Sequence, residues 1–182
     1  MAKYIGFLRG INVGGHKLIK MDDLREIFLS MGLSNVWTYI QSGNVGFETK
    51  EQDIQQLKRK IGNHLQKKLG YQVPVILREF SEIKNMPAQN PFKGYTDNDQ
   101  IKLYVCFLEK PPDQHPRLPL INEKEGLELI KIIKADAYLI SRPLKGRYGF
   151  PNNFIEQELG VISTARNWNT VLKIADLNIK KE

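Results

Sequence analysis

VWTYIQSGNVGFE, residues 36–48, is rich in aromatic and β-branched residues and carries one turn signal, Ser42-Gly43. It predicts two strands, Val36 to Gln41 and Asn44 to Glu48, joined as a hairpin. The segments on either side predict helices. Upstream, Leu24, Ile27, Phe28 and Met31 recur at three- and four-residue spacing, Asp22 and Asp23 suit the positive end of a helix, and Gly32 supplies a stop. A helix is expected over Met21 to Met31. Downstream, Ile54, Leu57, Ile61 and Leu65 form an apolar stripe, Thr49 and Gln52 have the spacing of a capping box, and Gly70 ends the pattern. A second helix is expected over Thr49 to Leu69. Lys3 to Arg9 and Gln72 to Arg78 read as strands. The order is β-α-β-β-α-β, the ferredoxin-like pattern.

That topology bears on function. Its first and second strands run parallel, with the third antiparallel between them. The end of the first strand and the hairpin turn then lie at one edge of the sheet. Arg9 to Lys17 and Gln41 to Asn44 are expected to face each other there, although the chain separates them by about thirty residues.

The rest of the chain predicts a smaller strand-and-helix part, so the whole reads as an α+β protein. Residues 1–84 form the ferredoxin-like part, and 85–100, rich in Pro, Asn, Gly and Asp, read as a linker or long loop. Residues 101–182 form a second α+β part. Its expected strands are Ile101 to Leu108, Leu127 to Ile133 and Ala137 to Arg142. Arg142 to Pro151 (RPLKGRYGFP) is a basic loop. Asn153 to Leu159 reads as a short helix opened by Asn153 and Glu156, and Asn167 to Leu177 as the last helix, capped by Ser163 or Thr164. Lys180 and Lys181 form a frayed tail.

Composition limits the function classes. The chain has 182 residues, 41% hydrophobic and 26% charged, which suits a globular protein rather than a disordered one. The net charge of +7 favours polyanionic partners, although a solvated basic surface has the same composition. Cys106 is the only cysteine, so a disulfide framework is excluded and a cysteine-based metal site nearly so. It lies within the apolar run Leu103 to Leu108 and reads as a buried, inert thiol. His16, His64 and His115 lack metal-ligand spacing, and no metal is expected. No export signal or membrane-spanning run is visible, so a cytoplasmic protein that does not enter the membrane is expected.

LRGINVGGHK, residues 8–17, carries the clearest chemistry. Gly10, Gly14 and Gly15 let a backbone approach a ligand closely, and Arg9, His16 and Lys17 supply positive charge. A P-loop is excluded: His16 stands where lysine is required, and Lys17-Leu18 offers no hydroxyl for Mg²⁺. A looser anion site and a tight structural loop held by Asn12 and Arg9 both fit. The hairpin residues Gln41, Ser42 and Asn44 add amides and a hydroxyl. In Thr164-Ala-Arg-Asn-Trp-Asn-Thr170, helical angles divide Trp168, Val171, Leu172 and Ala175 from a polar face of Arg166, Asn169, Thr170 and Lys173. Arg166 in a first helical turn opposes the dipole, which suggests a partner for it. An RRM-type site is disfavoured, because Tyr4 and Phe7 point to opposite faces and the basic-aromatic signature is missing. No nucleophile elbow or Ser-His-Asp pattern is present.

Leu8 to Gly15 (LRGINVGG), Thr38 to Val45 (TYIQSGNV) and Thr164 to Thr170 (T-x-RNWNT) together resemble a bacterial family of uncharacterised proteins, a domain of unknown function. The resemblance spans nearly the whole chain. It implies a two-part α+β protein with a ferredoxin-like first part and no established activity. Members of that family often carry a Ser-Lys pair before the penultimate helix, where this chain has Gly149-Phe-Pro-Asn-Asn153 instead.

These readings converge on one expected polar, basic cleft. It would gather Arg9, Asn12, Gly14, Gly15 and Lys17, then Gln41, Ser42 and Asn44, then Arg166, Asn167 and Asn169, around a nucleotide, a nucleic acid or a phosphorylated metabolite. No cofactor and no catalytic residue is named by the sequence. An enzyme acting on a small phosphorylated or carboxylated substrate and a protein-interaction module are the alternatives.

Overall fold

The computed structural model describes residues 1–177 and shows an α+β protein that divides into two compact units, Met1–Glu82 and Ile83–Glu182. Lys180 and Lys181 lie outside the described residues. The first unit runs β1 (Ala2–Leu8), α1 (Met21–Leu29), β2 (Ser34–Tyr39), β3 (Asn44–Thr49), α2 (Ile54–Leu69) and β4 (Val75–Glu79). Its sheet has the order β2-β3-β1-β4, and every neighbouring pair is antiparallel. Tyr4 pairs with Phe47, Gly6 with Val45 and Leu77, and Leu8 with Val75. Side chains alternate along a strand, so Tyr4, Leu8, Val45, Phe47, Val75 and Leu77 share one face of the sheet. The stripes of α1 (Leu24, Phe28) and α2 (Leu57, Ile61, Leu65) close over that face as one buried cluster. Tyr4, Phe7 and Phe47 are all buried, so none is a stacking platform for bases.

Two local expectations are corrected. Thr49 ends β3 opposite Ala2, and α2 begins five residues later. Its cap is Asp53, whose carboxylate accepts from Gln55 N and Gln56 N at 2.9 and 3.0 Å. Strand pairing holds Thr49 extended, and Asp53 is the better acceptor for the orphan amides.

The second unit continues α3 (Phe80–Asn85), within which the division between units falls, then β5 (Lys102–Leu108), β6 (Leu120–Asn122), β7 (Leu127–Ile133) and β8 (Asp136–Ser141). α4 (Pro151–Leu159), β9 (Ser163–Asn167) and α5 (Trp168–Ala175) complete it. The antiparallel sheet has the order β6-β7-β8-β5-β9. Phe154, Ile155 and Leu159 of α4 pack on Cys106, Leu108, Leu129 and Leu139. Trp168 of α5 meets Phe92 and Tyr138 edge-on, with ring centroids 5.3 and 6.4 Å away. Residues 90–100 contain no helix or strand, yet Phe92 is buried in this aromatic cluster. α4 starts at Pro151, and Glu156 accepts from Ser163 N at 2.8 Å rather than closing a box with Asn153. No helix of the described residues is long and apolar enough to cross a membrane.

Candidate functional site

The first loop is a small hairpin. Asn12 N donates to Lys17 O at 3.2 Å, and His16 N donates to Val13 O at 3.0 Å. Gly14 and Gly15 form its tip with φ of +59° and +79°, the two successive positive values that a two-residue turn of this kind requires. Both glycines are exposed and stand apart from the groove described below. The backbone donors of Asn12 and His16 are engaged within the turn.

Asn12 ties this loop to its surroundings. Its Oδ1 accepts from Ile19 N at 2.8 Å, and its Nδ2 donates to Ile19 O at 3.0 Å and Gln41 O at 2.9 Å. The residue sits at φ +53°, a conformation asparagine tolerates better than most. Leu8 N donates to Gly43 O and Arg9 N to Pro74 O, both at 2.9 Å. The loop and the hairpin turn therefore meet at one sheet edge, within the first unit. Asn44 is fully buried, donating to Tyr39 O and Ser42 Oγ at 2.9 Å each, so these two side chains build the turn itself.

Beside this junction lies an open groove of about 680 Å³. Leu18, Ile19, Ile27 and Leu69 give it an apolar lining, while Asn12, Gln41, Lys20, Lys68 and Asp23 give it polar groups. Only Asn12 and Gln41 of these were expected from sequence. Lys20 is the residue before α1, where no side chain caps the helix start. The uncapped amides of that first turn add partial positive charge next to the lysine, and Asp22 and Asp23 of the same turn set two carboxylates against it. The absence of Ser, Thr, Asp or Asn before Met21 was the available signal. Lys68 comes from the last turn of α2. Lys17 leaves the groove and lies over the Tyr71 ring at 5.0 Å.

Behind Lys68, His64 shares a hydrogen bond with Ser30 Oγ at 2.9 Å, and Lys60 donates to Met31 O at 3.1 Å. Burial, then Lys68, Lys67 and Lys60, hold the imidazole below its ordinary pKa. The unfolded chain binds this proton more readily, so the stability contribution is present above the ordinary histidine range and is lost as pH falls through it. Denaturation from pH ~7.5 to ~5.5 should show falling stability, and His64→Gln should flatten that slope. An unchanged slope in the variant would assign the pH dependence elsewhere. Glu48, held down chiefly by its bond to Lys3, acts only at lower pH.

In the second unit the expectation for Arg166 is corrected. Ser163–Asn167 is a strand paired with β5, so Arg166 does not sit in a helical turn. It is 6% exposed, with Nη1 donating to Thr164 Oγ1 at 2.9 Å and Ala165 O at 2.8 Å. Burial brings its pKa down to about 10. Asn167 is the cap of α5, accepting from Asn169 N at 2.9 Å. Asn169 is exposed and lines a separate pocket of about 280 Å³ with Trp168, Tyr95 and Asp97. Asn167 Nδ2 also donates to Asp97 Oδ2 at 3.5 Å, so Asn167 and Asn169 lie together at this pocket, while Arg166 is buried in β9. Cys106 is fully buried, and that burial raises its pKa, which makes it a poor nucleophile. Among the described residues, no three His, Cys, Asp or Glu side chains are placed to hold a metal.

Comparison with known proteins adds fold and family. A family model described as a protein of unknown function, DUF1697, matches residues 1–138, which include the whole of the first unit and its groove. No curated protein matches. The solved structure of a conserved bacterial protein from Streptococcus pneumoniae is similar, with a TM-score of 0.62 and 22% identity over 98% of this chain and 99% of that one. The likeness shows a shared fold.

Proposed function

The chain belongs to the DUF1697 family of unknown function, and from that premise we propose that the first unit binds a small phosphorylated ligand, a nucleotide or a sugar phosphate, in its groove. The observation that carries this reading is Lys20 at the uncapped start of α1, on the same groove as Lys68. A phosphate there would meet two ammonium groups and the uncapped start of a helix, which together outweigh the nearby Asp23 carboxylate. Ile19, Ile27 and Leu69 would receive the apolar body of the ligand, and Asp23 would accept from its hydroxyl groups. The volume lies in the range of small-molecule sites.

The test is thermal denaturation at low salt with nucleoside monophosphates, sugar phosphates and inorganic phosphate. A ligand at ~100 times its Kd should add about 2.7 kcal/mol, a shift of several degrees. Lys20→Glu combined with Lys68→Gln should weaken that binding at least ~10-fold, while the new Glu favours the helix start. A shift that survives the double substitution would remove the groove from the reading. A second reading, a protein-interaction module, draws on Val13, Leu18 and Ile40, which are 56%, 72% and 49% exposed. It predicts no shift with any of these anions.

A further inference from the structure

The basic loop between β8 and α4 is a second ordered surface, independent of the groove. Leu144 N donates to Arg147 O at 2.8 Å and Arg147 N to Leu144 O at 3.0 Å, closing a two-residue turn over Lys145 and Gly146. Those two residues adopt φ of +50° and +76°. The base of the loop is tied as well: Ser141 Oγ donates to Gly149 O at 3.4 Å, and Tyr148 donates its hydroxyl to Asp99 O. Gly149 lies so close to the neighbouring turn that a Cβ would sit 2.3 Å from the Glu125 backbone oxygen. Pro151 fixes the backbone immediately after Phe150.

This rigid loop presents an unusual set of side chains. Phe150 is 58% exposed and Leu144 is 41% exposed. Arg142 is neutralised by Glu128 at 2.6 Å. Lys145 and Arg147 are exposed and make no ion pair among the described residues. Arg147 and Phe150 stand at most about 11 Å apart along the chain. An exposed ring on the same loop as exposed cations is how proteins hold single-stranded nucleic acid: the base stacks and the phosphates meet the cations. Tyr4, Phe7 and Phe47 of the first sheet are buried, whereas Phe150 offers its ring from a loop and not from an RRM-type surface.

We infer that the loop of residues 142–150 binds single-stranded nucleic acid, with Phe150 stacking on a base and Lys145 and Arg147 meeting the flanking phosphates. Fluorescence anisotropy of the full chain with labelled oligonucleotides of roughly 12 residues tests it, using single-stranded DNA, single-stranded RNA and a duplex of equal length, with polyglutamate as competitor. Single strands should bind more tightly than the duplex. Phe150→Ala should weaken binding about 10-fold or more, and Phe150→Trp should restore it, since one stacked base is the interaction removed. Lys145→Ala with Arg147→Ala should reduce the slope of log affinity against log salt by about 1.4. The Lys20→Glu, Lys68→Gln variant should bind as the parent does, which separates this surface from the groove. The inference is overturned if the parent binds no oligonucleotide at low salt, if Phe150→Ala binds equally well, or if polyglutamate competes as strongly as a single strand. The exposure of all three residues predicts unchanged thermal melts, so a lost signal reports binding and not unfolding.

Discussion

Phe47→Ala should lower the free energy of unfolding by about 3–5 kcal/mol, the cost of opening a cavity where an aromatic core side chain stood. Phe47 is 1% exposed, and its ring centroid lies 6.1 Å from that of Tyr4 and 5.6 Å from that of Phe28. It therefore joins β1, β3 and α1 at a single point. Domains of this size hold about 5–15 kcal/mol in total, so the loss takes a large share of the stability. In urea denaturation the midpoint should fall with an unchanged slope. Phe47→Leu should recover much of the loss, because it leaves a smaller cavity. A loss below ~1 kcal/mol would mean that the surrounding rings close the gap, and would deny this cluster its place in holding α1 on the sheet.

The same cluster explains why the first unit was readable. Leu24, Phe28, Leu57, Ile61 and Leu65 recur at helical spacing because one face of each helix is buried, and the hairpin at 36–48 shows its turn residues openly. The strand order then implied that the first loop and the hairpin turn meet, and Asn12 bonds to Gln41. β9 was hidden for the opposite reason. Ser163-Thr-Ala-Arg-Asn167 has no apolar alternation of its own, and it is a strand because β5 offers it an edge to pair with. The helical spacing of Trp168, Val171 and Ala175 extended backwards over Arg166 in the sequence, whereas Asn167 stops it there by capping α5. Propensity is local, and pairing with a distant edge overrides it.

The groove shows a further limit. Lys20 and Lys68 lie far apart in the chain, and only the side-by-side placement of α1 and α2 brings them to one surface. Residue type also conceals hydrogen-bond occupancy. Asn12 and Asn44 look like ligand-facing amides in the sequence, but their polar atoms are engaged in fixing the loop and the turn. Asn12 lines the groove with an amide already committed to fixing the loop, and Asn44 lies buried within the turn. Their role is the reason a substitution at the junction of the two segments should be felt in both stability and binding.

Gly43→Ala is that substitution, with an expected cost of about 2–5 kcal/mol from two separable sources. The first is conformational. Gly43 has φ +75°, where an L-residue costs roughly 1–2 kcal/mol. The second is steric. A Cβ at Gly43 would lie 2.7 Å from Ile11 Cδ1 and 2.9 Å from both Ile11 Cγ1 and Leu8 Cβ, so the buried Ile11 and the end of β1 would have to move. Such overfilling typically costs about 1–3 kcal/mol. Gly10 provides the control, because it has φ +72° and a methyl added there would meet nothing within 4 Å, so Gly10→Ala should show the conformational cost alone. Displacing Gly43 also moves Gln41, whose carbonyl accepts from Asn12 at the edge of the groove. Gly43→Ala should therefore weaken phosphate-ligand binding as well as lower stability, whereas Gly10→Ala should lower stability and leave binding closer to that of the parent. Equal losses in the two variants would show that the hairpin turn yields freely to the added methyl, and the contact between Gly43 and Ile11 would then no longer explain how the two segments are held in register beside the groove.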